Sequence, residues 1–150
     1  MEFNKYISII FQDISTFGGL VFYLFLFLLF FLLSEITLTI KLLSGLIILY
    51  IIVNIARAVY FKERPQKQNY NNIIEKIDAS SFPSMHASRA SFLFFILYNH
   101  IRDIYLITLF FIIFILVCYS RIYLKKHYLI DVLGGIIIGV IVGYATQLIL

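Results

Sequence analysis

The chain has 150 residues, of which 62% are hydrophobic and 13% are charged, and its formal net charge is +4. Soluble domains are usually about half apolar and about a quarter charged, so this composition excludes a soluble core and predicts a polytopic membrane protein. The small positive charge is spread along the chain, which argues against a nucleic-acid partner. The single cysteine, Cys118, excludes an intramolecular disulfide and a cysteine-based metal site.

Apolar stretches recur along the whole chain, as expected for a membrane bundle. Residues 1–15 mix polar residues with apolar ones at helical spacing, which predicts an interfacial amphipathic helix, with a short start to the first span as the alternative. We expect no cleaved signal peptide, because Glu2 is acidic and no small-residue cleavage site follows. A spanning helix needs about 20 mostly apolar residues. The sequence therefore predicts one all-α membrane domain, 1–150, with about five spanning helices, at about 17–33, 36–61, 84–98, 104–124 and 128–150.

A polar segment at 62–82, rich in Asn, Gln and Lys, connects the second and third spans. Its length fits an unstructured connector, or a lid or a segment that recognises a lipid headgroup. Successive spans cross the membrane in opposite directions. The end of the second span, the start of the third, the end of the fourth and the start of the fifth are therefore predicted to lie on one side, which we term face X.

The most informative motif lies on face X, between the last two apolar stretches. Ser120-Arg121 is followed after five residues by His127, and after three more by Asp131. Such residues close to lipid are costly unless they pair or do chemistry. A spacing of four places both side chains on one face of a helix, so Asp131 can accept a hydrogen bond from one ring nitrogen of His127 and leave the other free to attack. Arg121 can offer a planar fork to a phosphate.

Two further polar clusters are predicted on the same face. Ser84 and His86 open the third span, and a helix N-terminus offers unpaired N–H groups and a positive dipole end to an anion. His86 is then placed to protonate a leaving oxygen. Arg57 and Arg64 add positive charge from the second span and the polar segment. Arg89, one turn after His86, is predicted either to support the site or to pair with a carboxylate.

The three clusters together resemble the motifs of the type 2 phosphatidic acid phosphatase superfamily. That family's pattern is Lys, six residues, Arg-Pro; then Pro-Ser-Gly-His; then Ser-Arg, five residues, His, three residues, Asp. The third motif is complete in this chain. The second, at 83–86, has Met85 in place of Gly, and the first, at 57–65, has Arg57 in place of Lys. The resemblance covers about residues 36–150.

The resemblance implies a role for each of these residues. His127 is the expected nucleophile, which forms a phosphohistidine, and Asp131 orients it. His86 is the expected acid for the leaving group and then the base for water. Neither a metal nor another cofactor is needed. The phosphate is expected to be held by backbone N–H groups near Met85 and by the side chains of Arg57, Arg64, Ser84 and Arg121.

The function implied is hydrolysis of a phosphomonoester or diphosphate on a lipid, of the isoprenyl diphosphate or phosphatidate type. A lipid phosphotransferase of the same superfamily is an alternative, because a phosphohistidine can pass its phosphate to an alcohol. A non-catalytic membrane subunit is a second alternative. The expected partners are the lipid substrate and membrane lipids, and the expected location is a multi-pass cell membrane protein with its site on the outer side. The excess of basic residues on face X favours the cytoplasmic side instead.

Glycines recur every four residues within the last apolar stretch, at 135, 139 and 143. Small residues at this spacing allow two helix backbones to approach closely in a membrane. The pattern predicts a helix-packing face here, in place of a phosphate-binding loop.

Overall fold

The computed structural model describes residues 2–150, with side chains from residue 5 onward. The regular secondary structure in this range is α-helical, which confirms the predicted all-α class. Its seven helices are α1 (Glu2–Thr16), α2 (Leu20–Leu32), α3 (Ile36–Val59), α4 (Ile73–Ala79), α5 (Met85–His100), α6 (Ile104–Tyr123) and α7 (Leu129–Ile149).

Fewer helices than predicted are long and apolar enough to cross a membrane. Helices α3, α6 and α7 meet this condition, and α1 with α2 forms a fourth candidate that is bent by 41° at its break. The break is a turn in which Phe17, Gly18 and Gly19 donate backbone hydrogen bonds to the last turn of α1. Helix α5 has 16 residues and extends about 24 Å, less than the roughly 30 Å apolar thickness of a bilayer. By length and composition, three or four helices therefore qualify as spans, a count that differs slightly from the predicted five.

Successive long helices run in opposite directions, as the sequence predicted. At one end of the bundle, Arg57 near the end of α3 donates to the carbonyl oxygen of Pro83, just before α5, at 3.0 Å. At the opposite end of the bundle, Nε2 of His100, the last residue of α5, lies 3.6 Å from Oε2 of Glu35, just before α3. Helices α3 and α5 are thus antiparallel, and the polar clusters of the sequence gather at one end.

Helix α5 is the central element and packs against α3, α6 and α7. Its closest approach is to the glycine face of α7. A Cβ atom added at Gly135 would lie 2.5 Å from the backbone oxygen of Ser84, and one at Gly139 would overlap the side chain of Ser91 and the backbone oxygen of Ser88. The predicted helix-packing face is therefore confirmed, and it fixes the start of α7 against the start of α5.

The outer surface of the bundle is apolar. Val21 on α2 is 84% exposed and Leu148 on α7 is 70% exposed, as suits side chains whose surroundings are lipid. The polar segment 62–82 contains the short helix α4, whose first turn is capped by Asn72 and Glu75. This segment lies over the end of the bundle at which the polar clusters gather.

Candidate active site

A cavity of about 970 Å³ lies at this end of the bundle, between α3, α5, α6 and the 62–82 segment. Six of the eight predicted site residues line it: Arg57, Arg64, Met85, His86, Arg121 and His127. The other two, Ser84 and Asp131, are fully buried beside it and form the structure that supports the lining residues.

His127 lies in the turn between α6 and α7, with 2% of its surface exposed. Its Nδ1 atom is 2.7 Å from the backbone carbonyl oxygen of Ser81. Because a carbonyl oxygen can only accept, Nδ1 carries the proton and Nε2 carries the lone pair. Burial lowers the pKa of His127 to about 3, and the charges of Arg121 and Arg64 act in the same direction, against the Ser81 bond. The imidazole is therefore neutral at pH 7, with a nitrogen available for attack.

Asp131 does not accept a hydrogen bond from the His127 ring, contrary to the expectation from their spacing. Its carboxylate accepts from the Lys62 ammonium at 2.6 Å, from the Ser81 hydroxyl at 2.5 Å and from the backbone N–H of Tyr128 at 2.8 Å. Asp131 is buried as the third residue of α7, where it caps the helix. It therefore reaches the imidazole through Ser81, whose carbonyl oxygen holds the ring.

The N-terminus of α5 faces the cavity with Met85 and His86. Ser84 is the N-cap residue: its hydroxyl accepts from the N–H of Ala87, and its own N–H donates to the backbone oxygen of Asp131 at 2.9 Å. Since the first N–H groups of a helix have no partner within the helix, those of Met85 and His86 are oriented as anion donors. The geometry favours a structural role for Ser84 in place of the predicted phosphate contact.

Arg57 and Arg64 are each held by a backbone oxygen. Arg57 is 4% exposed, and its Nε and Nη2 atoms both donate to the carbonyl oxygen of Pro83. The Nη2 atom of Arg64 donates to the backbone oxygen of Asp78 at 2.6 Å. The carboxylate of Asp78 lies 3.7 Å from Nη1 of Arg57, but this side chain is 86% exposed, so solvent weakens the pair and both guanidinium groups keep positive charge for the cavity. The lining contains four arginines against two carboxylates, namely Arg57, Arg64, Arg89 and Arg121 against Glu75 and Asp78.

The comparisons with known proteins agree with this arrangement. A family model described as the PAP2 superfamily matches residues 38–150, well over half of the chain. The chain belongs to the PAP2 superfamily. Its fold is similar to the crystal structure of LpxE from Aquifex aeolicus, with a TM-score of 0.78 and 20% sequence identity over 94% of this chain and 85% of that one. At this identity the similarity concerns the fold. The search of curated proteins finds no significant match.

Several residues that support the PAP2 motifs were not identified from the sequence. Ser15, on α1, lies before the matched region, yet its hydroxyl accepts a hydrogen bond from Nη1 of Arg121. Nothing in the α1 sequence indicates this contact. Ser81 and Lys62, which bind the Asp131 carboxylate, lie in the polar segment. The available signal in the sequence is that both residues lie within or next to the first two motifs along the chain.

The PAP2 site described here is rich in cations, and its carboxylates are few. Within residues 2–150 as described, no group of three or more His, Cys, Asp or Glu side chains is arranged to hold a metal ion. The groups that face the cavity with positive charge are guanidinium groups, which bind phosphate in bidentate fashion.

Proposed function

We propose that this protein is a membrane lipid phosphatase that works through a phosphohistidine formed on His127. Membership of the PAP2 superfamily and the fold support a lipid phosphatase. The observation that supports the histidine mechanism best is the state of His127. Its ring is neutral, its Nδ1 proton is fixed by Ser81, and it lies in a cavity lined by four arginines.

The roles of the other residues follow from their positions. Arg57, Arg64 and Arg121 neutralise the phosphate while Nε2 of His127 attacks phosphorus, and the N–H groups at the start of α5 bind its oxygens. His86 also lines the cavity, where burial and the charges of Arg121 and Arg89 lower its pKa and keep it neutral before substrate binds. The negative charge of a bound alkyl phosphate raises that pKa, and the protonated His86 then donates to the leaving oxygen. In the second half-reaction His86 accepts a proton from the water that cleaves the phosphorus–nitrogen bond.

Phosphate release by the purified protein in detergent tests this function. A panel of isoprenyl diphosphate, phosphatidate, phosphatidylglycerophosphate and diacylglycerol diphosphate covers the substrate classes that the family resemblance implies. We expect His127→Ala to abolish turnover, whereas His100→Ala, which changes a histidine at the other end of the bundle, should keep it. Normal phosphate release by His127→Ala would refute the mechanism.

The covalent intermediate is detectable directly. Protein treated with ³²P-labelled substrate and denatured in alkali should retain label, because phosphohistidine is stable to alkali and labile to acid. Label should be absent from His127→Ala and present in His100→Ala.

We also propose that the reaction needs no metal ion, because the arginines supply the charge that stabilises the phosphoryl group. Activity is expected to persist in EDTA, and vanadate is expected to inhibit by resembling five-coordinate phosphorus. Complete loss in EDTA with recovery on adding Mg²⁺ would contradict this proposal.

A further inference from the structure

The polar lining of the cavity continues past the catalytic histidines into the bundle. On α3, Tyr50, Asn54 and Arg57 follow one another at intervals of four and three residues, so they share one face. On α5, Arg89 lies one turn, about 4.5 Å, beyond His86. All five residues line the cavity. The polar stripe on α3 runs from residue 50 to residue 57, a rise of about 10 Å along the helix, which leaves room for a second polar group next to the transferred phosphate.

Arg89 is the least satisfied cation in this lining. Only 4% of its surface is exposed, and its one hydrogen bond is a long one of 3.4 Å to the hydroxyl of Tyr50, whose ring centroid lies 5.9 Å from the guanidinium carbon. Its Nε atom is buried without a partner, as are those of Arg64 and Arg121. The other three arginines each donate to a protein oxygen at 3.0 Å or less. Among the side chains that the structure describes, no carboxylate lies within 4.0 Å of Arg89. A buried charge without an anionic partner is costly, and an anionic ligand would compensate it.

We propose that Arg89, with Tyr50 and Asn54, forms a second phosphate subsite, and that the preferred substrates are therefore lipid diphosphates. This inference rests on the proposed function. The terminal phosphate is placed against His127, and the phosphate that carries the lipid is placed one turn deeper, against Arg89. A phosphomonoester would instead place an uncharged alkoxy group beside Arg89 and leave the guanidinium unpaired.

The subsite explains how the leaving group is stabilised. Nε2 of His127 attacks the terminal phosphorus, and the bond from this phosphorus to the bridging oxygen breaks. The electron pair stays on the bridging oxygen, which departs as part of the lipid monophosphate, and the Arg89 guanidinium balances the negative charge. Water then attacks the phosphohistidine and gives a proton to His86, which passes it to solvent, and orthophosphate and free His127 are released.

The test compares two substrates that differ by one phosphate. Initial rates of phosphate release are measured on farnesyl diphosphate and farnesyl monophosphate for the wild-type protein and for Arg89→Gln. Loss of a charge-assisted hydrogen bond predicts a fall of about 10- to 100-fold in kcat/KM for the diphosphate. The monophosphate value should change less than about threefold, since Arg89 does not contact that substrate. Arg89→Lys should restore part of the diphosphate activity.

Arg102→Gln is the matched control, because Arg102 is an exposed arginine in the short loop before α6. It should leave both substrates unaffected. An equal loss on the two substrates in Arg89→Gln, or no loss on either, would overturn the subsite. If wild-type protein releases phosphate from neither substrate, the proposed function fails as well. This outcome is distinct from a change in the ratio of the two kcat/KM values in Arg89→Gln.

A measurement on wild-type protein keeps the inference testable if Arg89→Gln does not fold. A farnesyl compound with a methylene-bridged diphosphonate head and a farnesyl monophosphonate are compared as inhibitors of monophosphate hydrolysis. The subsite predicts an inhibition constant at least about tenfold lower for the diphosphonate. Equal inhibition constants would refute it.

Discussion

Around His127, a backbone oxygen contacts the imidazole directly, whereas a carboxylate holds the residue that carries this oxygen. The carbonyl oxygen of Ser81 fixes the proton on Nδ1, whereas Asp131 holds the Ser81 hydroxyl and the Lys62 ammonium. The carboxylate therefore acts on the imidazole by positioning the peptide group that touches it. Substitutions of Asp131 and of Ser81 are therefore expected to lower kcat by different amounts.

Asp131→Asn and Ser81→Ala test that difference. An amide at position 131 loses the charge-assisted bonds to Lys62 and Ser81, so we expect kcat to fall about 10- to 100-fold. Ser81→Ala removes one hydroxyl and keeps the carbonyl that holds the ring, so a fall of about 2- to 10-fold is expected. Both are measured as phosphate release, with the thermal midpoint recorded to separate misfolding. A larger loss in Ser81→Ala than in Asp131→Asn would contradict the assignment.

The low pKa of His127 also predicts how stability depends on pH. An unfolded histidine takes up its proton near pH 6.5, whereas burial keeps folded His127 neutral down to about pH 3. The unfolded state therefore binds more protons in this window, and stability falls as the pH drops below about 6.5. We expect the thermal midpoint in detergent to fall less between pH 7 and pH 4 in His127→Gln than in the wild-type protein. Identical falls would show that His127 is not buried in its neutral form.

At the scale of helices, a polar contact joins α1 to the end of the bundle at which the cavity lies. Helix α1 packs against α6, and its Ser15 accepts a hydrogen bond from Arg121 near the end of that helix. The contact links a helix outside the region matched by the family model to a predicted phosphate ligand. It restrains the Arg121 guanidinium beside the cavity.

Ser15→Ala measures the value of that contact. Without the hydroxyl, Arg121 gains rotamer freedom that substrate binding must remove, so KM should rise about 2- to 10-fold while kcat changes little. Ser8→Ala, on the same helix and with no hydrogen bond to Arg121, is the control and should behave like the wild-type protein. A change in kcat of the same size as the change in KM would indicate that Ser15 acts on the reacting groups.

The sequence could predict some properties of the helices and not others. The glycine repeat at 135, 139 and 143 predicted close packing because the spacing of small residues is a local property of one helix. The first span was predicted to begin at residue 17, whereas α2 begins at Leu20, because Phe17, Gly18 and Gly19 form a turn and yet continue the apolar stretch that follows them. Contacts such as Ser15 with Arg121 depend on residues 106 positions apart, and neither residue's neighbours along the chain indicate the other.

For the whole molecule, the direction of each helix was predicted better than the number of spans. Alternation alone placed the polar clusters at one end, and the cavity is lined by residues of all three motifs. The number of candidate spans differs slightly from five because α5 is short and carries Arg89, which suits a central helix enclosed by others better than one facing lipid. A hydropathy pattern does not distinguish these two environments.

Two arguments disagree on which side of the membrane this cavity faces. Face X is the more basic, with Lys5, Lys62, Lys67, Lys76, Lys125 and Lys126 against Lys41 and Arg102 on the other side. Positive-inside logic would place it in the cytoplasm. Some of these lysines have local tasks, however: Lys62 binds Asp131, Lys67 pairs with Glu63, and others can attract anionic headgroups. The charge count is therefore biased by function, and we predict that the site faces outward, as the family resemblance favours.

Single-cysteine labelling decides between the two orientations. Cys118 is replaced by Ala, and a cysteine is placed at Asn71 in the exposed part of the 62–82 segment or, as the control, at Arg102 in the exposed loop at the other end of the bundle. Intact cells are treated with a membrane-impermeant thiol reagent. An outward site predicts that position 71 is labelled in intact cells and position 102 only after lysis. The reverse pattern would place the cavity on the cytosolic face and restrict its substrates to lipids of the inner leaflet.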